Sequence, residues 1–512
     1  MRRLNACSVV MALCFLLVSG GGLSASSDKY DLPIKEHIFK NGLRLLVLEN
    51  ANDHRVVCKI FTDMGAIHEM PGEYGSAHFL EHLLFKGTET LGTTNWKREK
   101  AIIAEINKTE AALIEALNLE RNALRQRGVF LDYQHKASTP QIDSLKARIA
   151  ALDQQGEKYR DNGAMMKWYQ GYGGTTLTAT TEQEYMKFDI DLPAERVALF
   201  LRVEADRMRN SIFREFDQER MILVEQRLGD LNRATTPYYE AMNALAQTVS
   251  LVYVPEGFMT DFYQYSRQYQ RELYSQYFIP NNTTLIFIGG VTLEQMVPLV
   301  ERYFGWMKRE PEPMRMKAIE PKPTAEKRLI WRSNQLKPQV ELRFQIPGVG
   351  HPERPHFDVL AEALSEELHA ALKRHKISAS VNVNTRVVHT SRFGLPATIN
   401  IEVIPGSADA LERCEDALIA ELERLKTGFF ADGVLSHAKK VLRTAWYRTA
   451  RDKNKLAFEI GHFEVMDSWK SLQGYLEARE TTTPATLQQL IQKYFIPENR
   501  SVGVVKSKEA VR

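Results

Sequence analysis

The chain has 512 residues, of which 44% are hydrophobic and 26% are charged, and its formal net charge is +3. This length and apolar content suffice for more than one packed domain. The near balance of charges argues against a nucleic-acid-binding protein, which needs a clustered excess of basic residues.

The N-terminus has the pattern of a secretory signal peptide. Arg2 and Arg3 precede a short apolar run, and glycines and other small residues follow it up to Ala25. The run is too short for a membrane-spanning helix. We therefore predict that residues 1–25 are removed, and that the mature protein is periplasmic or secreted and has no spanning segment. An uncleaved N-terminal anchor is the alternative.

The mature chain is predicted to begin with a β-hairpin, "HIFKNGLRLLVLEN", in which Asn41 and Gly42 supply the turn. An apolar strand and a glycine-rich loop follow. They lead into "GSAHFLEHLLFKGTET", residues 75–90, which is predicted to be a helix that ends at Gly87.

Three residues of this helix, His78, Glu81 and His82, have the spacing of a zinc site. Residues four apart lie on one face of a helix, so the two imidazoles can point at one ion. Zinc lowers the pKa of a bound water, and Glu81 lies where a carboxylate could take that water's proton. The alternative is an amphipathic helix whose histidines bind no metal.

Residues 98–170 are polar and contain two stretches with apolar positions near i, i+3, i+4 and i+7. We predict a helical hairpin inserted into the first domain. It is either a solvated decoration or an arm that binds a partner.

The chain contains an internal repeat. "YFIPNNTTLIFIGG" begins at Tyr277 and "YFIPENRSVGVVKS" begins at Tyr494, each after an amphipathic stretch. Residues 308–327 are rich in proline and charge and are predicted to be a linker. We predict an α+β fold of two related repeats, residues 30–307 and 328–512. Each is a mixed or antiparallel sheet with helices on one face, and the second is also expected to open with a hairpin.

Four cysteines are present, and Cys7 and Cys14 fall within the predicted signal peptide. Two cysteines so far apart as Cys58 and Cys414 do not form a disulfide framework, and we predict that both are buried thiols. A single disulfide between them is the alternative. A cysteine-based zinc site is excluded.

The zinc motif and its flanks resemble the pitrilysin and mitochondrial processing peptidase family of zinc metallopeptidases. H-x-x-E-H is the inverted zinc motif, and "GSAHFLEHLLFKGTE" matches the family around it. "NGLRLLVLEN", "REFDQERMILVEQR" and "YFIPNNTTLIFIGG" resemble other segments of that family. The resemblance covers nearly all of the mature chain and is loosest in the second half.

The resemblance implies a zinc-dependent endopeptidase in which His78 and His82 bind Zn²⁺ and Glu81 activates water. Family members form a clamshell from two double units, around a chamber that admits unfolded polypeptides. We therefore expect a peptide or unfolded polypeptide as substrate, added as a strand to a sheet edge. We also expect a homodimer or a heterodimer with a related subunit.

The third zinc ligand departs from the family pattern. The family has a glutamate seven residues after the glutamate of an E-R pair. Here the pair begins at Glu219, a supporting residue in this prediction, and the ligand position is Gln226. At about 100° per residue, seven residues return to within about 20° of the same face, so Glu225 would serve only if the helix slipped. A neutral amide oxygen is a weaker zinc ligand than a carboxylate.

The substrate-binding strand departs from the pattern as well. Thr178 and Ala179 occupy the place of an Asn-Ala pair, Glu184 that of an aspartate and Phe188 that of a tyrosine. A threonine cannot offer the paired donor and acceptor of an amide, which weakens the expected grip on a peptide.

Active relatives also use an arginine and a tyrosine of the second half or of a partner chain to hold the scissile carbonyl. Arg443, Tyr447, Arg448 and Arg451 are possible equivalents at helical spacing. The alternative is a solvated basic face of a helix.

Two functions therefore follow from the sequence. The first is a periplasmic or secreted zinc endopeptidase, which the intact His78, Glu81 and His82 favour. The second is a non-catalytic peptidase-like subunit that binds peptide or supports an active partner, which Gln226 and Thr178 favour.

Overall fold

The computed structural model describes residues 30–129, 137–249, 254–314, 319–386 and 395–507. The predicted signal peptide lies outside these ranges, as does part of the predicted linker. Two sheets organise the chain, and the predicted α+β fold is confirmed.

The first sheet has six strands in the order β1-β2-β6-β3-β5-β4. Its strands are β1 (Lys35–Ile38), β2 (Arg44–Glu49), β3 (Arg55–Thr62), β4 (Thr175–Thr181), β5 (Met186–Pro193) and β6 (Thr283–Gly289). The strands β1 and β2 form the predicted hairpin, and Gly42 in its loop has a φ of 88°. The strands β3 and β6 are central and almost wholly buried, which explains their continuous apolar sequences.

The second sheet has five strands in the order β7-β11-β8-β10-β9. Its strands are β7 (Lys327–Arg332), β8 (Gln339–Ile346), β9 (Ala379–Arg386), β10 (Ala397–Pro405) and β11 (Arg500–Lys506). The predicted opening hairpin of this half is wrong, because β11 lies between β7 and β8 and pairs with both. The strand β7 therefore corresponds to β2 and not to β1, since each is parallel to the last strand of its own half.

Helices cover the sheets. Those of the first half are α1 (Ser76–Leu84), α2 (Trp96–Gln126), α3 (Pro140–Glu157), α4 (Ala164–Gly171), α5 (Val197–Asn210), α6 (Phe216–Leu231), α7 (Thr235–Ala246), α8 (Met259–Phe262), α9 (Arg267–Tyr277) and α10 (Leu293–Phe304). Those of the second half are α11 (Arg354–Arg374), α12 (Leu411–Thr427), α13 (Val434–Arg451), α14 (Lys453–Met466), α15 (Ser471–Thr481) and α16 (Pro484–Tyr494).

The insertion between α1 and β4 holds α2 and α3, which pack on each other through small apolar clusters. The helix α2 is tied to the body of the first half by two ion pairs. Arg214 Nε lies 2.6 Å from Glu99 Oε1, and Arg267 Nε lies 2.8 Å from Glu110 Oε1. The insertion thus lies along the body of the first half for much of the length of α2.

The second face of each sheet is covered by a helix of the other half. The helix α14 packs on the first sheet, where Gly461 meets the ring of Phe61. The helix α7 packs on the second sheet, where Tyr238 donates a hydrogen bond of 2.9 Å to Glu341 and contacts Gly503. This reciprocal packing joins the halves into one body through apolar and polar contacts.

Cys58 and Cys414 are buried free thiols, as predicted. Within the part of the chain that the structure describes, no helix combines the length and the apolar character needed to cross a membrane.

Candidate active site

The N-terminus of α1 is fixed by a glycine and by a buried carboxylate. Gly75 has a φ of 94°, which favours glycine, and a side chain there would clash with Tyr265. The carboxylate of Glu69 accepts hydrogen bonds from the backbone N–H groups of Gly75 at 2.8 Å and Ala77 at 2.6 Å. These bonds satisfy donors that the first turn leaves free, so the direction of α1 is fixed by buried groups.

His78 and His82 lie one turn apart on α1, with ring centroids separated by 4.9 Å and planes at 77°. Burial, together with the nearby His82, lowers the pKa of His78 to about 4. His78 is therefore neutral near pH 7 and keeps a ring lone pair that can bind a metal. The two rings are brought together as the sequence predicts.

His82 is oriented by Glu219 of α6. Its Nδ1 lies 2.9 Å from Glu219 Oε2. Burial acts to raise the pKa of Glu219, but the hydrogen bond from His82 and the adjacent ammonium of Lys86 outweigh it, and the pKa is lowered. An ionised carboxylate only accepts, so Nδ1 of His82 carries a proton, and the neutral tautomer that this contact selects has its lone pair on Nε2. A carboxylate behind a ligating histidine is the usual arrangement in metal sites.

Glu81 connects the helix to the edge of the sheet. Thr181, the last residue of β4, donates a hydrogen bond of 2.6 Å from Oγ1 to Glu81 Oε2. Burial raises the pKa of Glu81, and the bond from Thr181 opposes the rise. A raised pKa suits a group that exchanges protons near neutral pH.

The strand β4 is the outer strand of the first sheet, next to this helix. Its pairing with β5 is regular from Thr178 to Thr181 and irregular before Thr178. Thr178 is exposed and donates only to the carbonyl of Ala179, at 3.3 Å, while Ala179 packs against the core. The edge next to Glu81 is therefore a short, straight segment of strand.

The third ligand position lies on α6, which runs from Phe216 to Leu231 as an unbroken α-helix. In an unbroken helix Gln226, and not Glu225, lies on the face of Glu219. Among the described residues, no hydrogen bond or ion pair joins Glu225 or Gln226 to His78 or His82, so the third ligand stays a prediction. Glu225 and Gln226 are both exposed. In the described ranges, no three His, Cys, Asp or Glu side chains are grouped so that they could hold a metal.

The contacts between α1 and α6 indicate where Gln226 lies. Glu215 contacts Lys86, and Glu219, four residues later on α6, contacts His82, four residues earlier in the chain than Lys86. The two helices are therefore antiparallel. Continuing this antiparallel register carries residue 226 toward the His78 end of α1, on the Glu219 face of α6. At that position Gln226 would offer an uncharged amide oxygen.

The second-half residues considered for the scissile carbonyl have other surroundings. Arg443 forms an ion pair with Glu480, at 2.5 Å between Nη2 and Oε2. Tyr447, Arg448 and Arg451 are exposed on α13. No hydrogen bond or ion pair among the described residues brings any of these four side chains to His78, Glu81 or His82.

Sequence reasoning missed three residues of the site: Thr181, Lys86 and Glu215. Thr181 contacts Glu81 only because β4 folds back beside α1 from a hundred residues away. Lys86 is four residues after His82, and this helical spacing was a usable signal.

Sequence profiles of known families match two segments of the chain. The profile described as "Insulinase (Peptidase family M16)" matches residues 44–124, and "Peptidase M16 inactive domain" matches residues 265–442. Together they cover more than half of the chain, which therefore belongs to the M16 peptidase family. This confirms the resemblance found in the sequence.

The chain is similar to zinc proteases of this family. "Zinc protease PqqE" of Helicobacter pylori is 21% identical over 503 residues, which are 95% of this chain and 96% of that protein. An uncharacterized zinc protease of Rickettsia bellii is 45% identical over 51 residues, 10% of this chain and 12% of that protein.

Two solved structures share the fold. A protease from Helicobacter pylori has a TM-score of 0.70 at 17% identity, covering 92% of this chain and 99% of that one. The periplasmic protease PqqL from Escherichia coli has a TM-score of 0.69 at 15% identity, covering 93% of this chain and 48% of that one.

The residues present fit zinc in part. Two imidazoles at helical spacing, one neutral and the other oriented by a carboxylate, form half of a tetrahedral site. A third ligand from Gln226 would lack a charge, and zinc would then bind more weakly than in a site with three anionic or imidazole ligands.

Proposed function

We propose that this protein is a zinc-dependent endopeptidase, periplasmic or secreted, that cleaves peptides bound in extended form along β4. The observation that carries the proposal is the hydrogen bond from Thr181 to Glu81. It fixes a carboxylate with a raised pKa at the end of an open sheet edge, on the turn that carries His78 and His82.

In this proposal the substrate backbone pairs with the outer side of β4, so that main-chain hydrogen bonds supply affinity. Thr178 lies on this edge, and Thr181 ends it beside Glu81. A peptide that follows the strand therefore runs toward the carboxylate, which would take the proton of the attacking water and pass it to the leaving amine.

His78, His82 and the amide oxygen of Gln226 would hold the zinc ion in this proposal. When bound, zinc would polarise the scissile carbonyl and make the attacking water more acidic. Glu219 would keep His82 in the tautomer that presents Nε2, and burial would keep His78 neutral.

We further propose that the working unit is a homodimer or a heterodimer with a related chain. This chain corresponds to about half of PqqL, at 48% of its length, and 47% of the ferredoxin protease FusC. A second subunit would face the open side of β4 and could supply the arginine and tyrosine that this chain does not bring to Glu81. Light scattering at micromolar concentration tests this, and a fully active monomer would contradict it.

The experiment that tests the peptidase is the Glu81→Gln variant. Removing the base should lower peptide hydrolysis by about 10²- to 10⁴-fold with the fold and zinc content preserved. Glu366→Gln is the matched control, because Glu366 is exposed on α11, the helix that follows β8 as α1 follows β3. Equal activity of the Glu81→Gln variant and the wild type would refute the proposed chemistry.

A non-catalytic, peptide-holding subunit is the second candidate function. It is favoured by Gln226, whose amide leaves the site without a third charged or imidazole ligand. Zinc-replete protein that keeps less than about 0.1 zinc per chain after dialysis, yet still binds unfolded peptide, would support this candidate over the peptidase.

A further inference from the structure

Lys86 lies just beyond the end of α1 and has no part in the chemistry proposed above. Its Nζ lies 2.8 Å from Glu215 Oε2 and 2.5 Å from Glu219 Oε1. The two carboxylates are largely buried, with exposed side-chain fractions of 8% and 4%. One ammonium group therefore joins the end of α1 to the first turn of α6.

Glu215 adopts an unusual backbone conformation. It precedes α6 with a φ of 54°, in the left-handed region that non-glycine residues rarely occupy. Its carbonyl accepts the N–H of Glu219 at 2.8 Å and so begins the helix. Residues held in such conformations are concentrated at functional sites, and here the side chain of the strained residue binds Lys86.

Glu219 divides its two oxygens between Lys86 and His82. Oε1 faces the ammonium, and Oε2 faces Nδ1 of the imidazole at 2.9 Å. The lysine thus fixes the rotation of this carboxylate, which in turn fixes the ring of His82. A shift of α6 along α1 would break both contacts together.

We propose that Lys86 and Glu215 form a clamp that positions Glu219 against His82 and so sets the tautomer and direction of a metal-binding imidazole. Both are positioning residues, because neither touches substrate or metal. The clamp serves a purpose only if the proposed zinc-dependent function holds, but it can be tested by itself in metal-free protein. By contrast, an ion pair that only stabilised the fold would leave the tautomer of His82 unchanged.

The test is ¹⁵N NMR of histidine side chains in metal-free protein, with His82 assigned by the loss of its signals in His82→Gln. In wild type, His82 should show a protonated Nδ1 and an unprotonated Nε2. Lys86→Met should give averaged tautomers, and zinc affinity by chelator competition should fall by about 10- to 100-fold, as expected when outer-shell partners are lost. Lys86→Arg should restore both properties in part.

Lys167→Met is the matched control, since Lys167 forms an exposed ion pair with Asp161 at 2.7 Å in the same half. It should leave the His82 signals and the zinc affinity unchanged. If Lys86→Met does not fold, Glu215→Gln removes one arm of the clamp and keeps the lysine, and a smaller change in the same direction is expected.

Wild-type His82 signals in both Lys86→Met and Glu215→Gln would overturn the clamp, whatever the peptidase activity. Conversely, altered His82 signals in these variants, together with a wild-type protein that has no peptidase activity, would support the clamp and count against the proposed function. The two proposals can therefore fail separately.

Discussion

The second sheet repeats the strand order of β2, β6, β3, β5 and β4 of the first sheet. The helices that follow the equivalent strands β3 and β8, however, carry different side chains. In the first half α1 follows β3 and carries His78 and His82. In the second half α11 follows β8 and carries Arg354 and Asp358 at a comparable early position. One helix presents two imidazoles that could bind a metal, whereas the other presents charges that are already paired.

The charged side chains around Asp358 in the second half are paired with one another. Asp358 accepts hydrogen bonds from Arg354 at 2.6 Å, Arg479 at 2.9 Å, Tyr475 at 2.8 Å and Thr385 at 3.0 Å. Burial acts to raise the pKa of Asp358, but the two guanidinium groups outweigh it and lower the pKa. The difference teaches that a repeated fold can carry candidate metal-binding side chains in one copy and a structural ion network in the other.

The largest expected effect is on stability, from Asp358→Ala. The substitution leaves the buried guanidinium of Arg354 and the partly buried one of Arg479 without their shared carboxylate, so the free energy of unfolding should fall by about 3–5 kcal/mol. Urea unfolding measures the loss, and zinc binding in the first half should be unaffected if the halves divide their roles. Asp416→Ala, at an exposed position of α12, is the control and should change little.

The same carboxylate predicts a dependence of stability on pH. Its pKa is lowered on folding, so its contribution is complete above the unfolded value of about 4 and is lost as the pH falls toward the folded pKa. Asp358→Asn should flatten the acid limb of the stability curve. An unchanged acid limb would count against the ion network as the cause.

A smaller effect is expected from the glycines at the reciprocal interface. Gly461→Ala should destabilise the protein by about 1–3 kcal/mol, because the added methyl group overlaps the buried ring of Phe61. In Gly503→Ala the added methyl group meets the flexible end of Met242 and the hydroxyl of Tyr238, so we expect a smaller loss of stability. Thermal unfolding of the two variants measures both losses. A larger loss in Gly503→Ala than in Gly461→Ala would show that the packing around Gly461 adapts more readily than the packing around Gly503.

The smallest expected effect, and the sharpest for the site, is a gain in zinc affinity. Gln226→Glu adds a charge at the third ligand position, and we expect binding at least about tenfold tighter, near 1.4 kcal/mol. Glu225→Gln is the matched control, because an unslipped helix turns this residue away and affinity should not change. A loss of affinity in the control with no gain in Gln226→Glu would assign the ligand to Glu225.

The sequence by itself determined the zinc motif, the buried thiols, the two repeats and the family, because helical spacing, composition and turn residues are local properties. Only the tertiary structure decided that β11 separates β7 from β8, that Thr181 donates a hydrogen bond to Glu81 and that Lys86 forms ion pairs with Glu215 and Glu219. These contacts join residues about a hundred or more positions apart. Their formation depends on how sheets and helices pack in space, and spacing along the chain does not encode that.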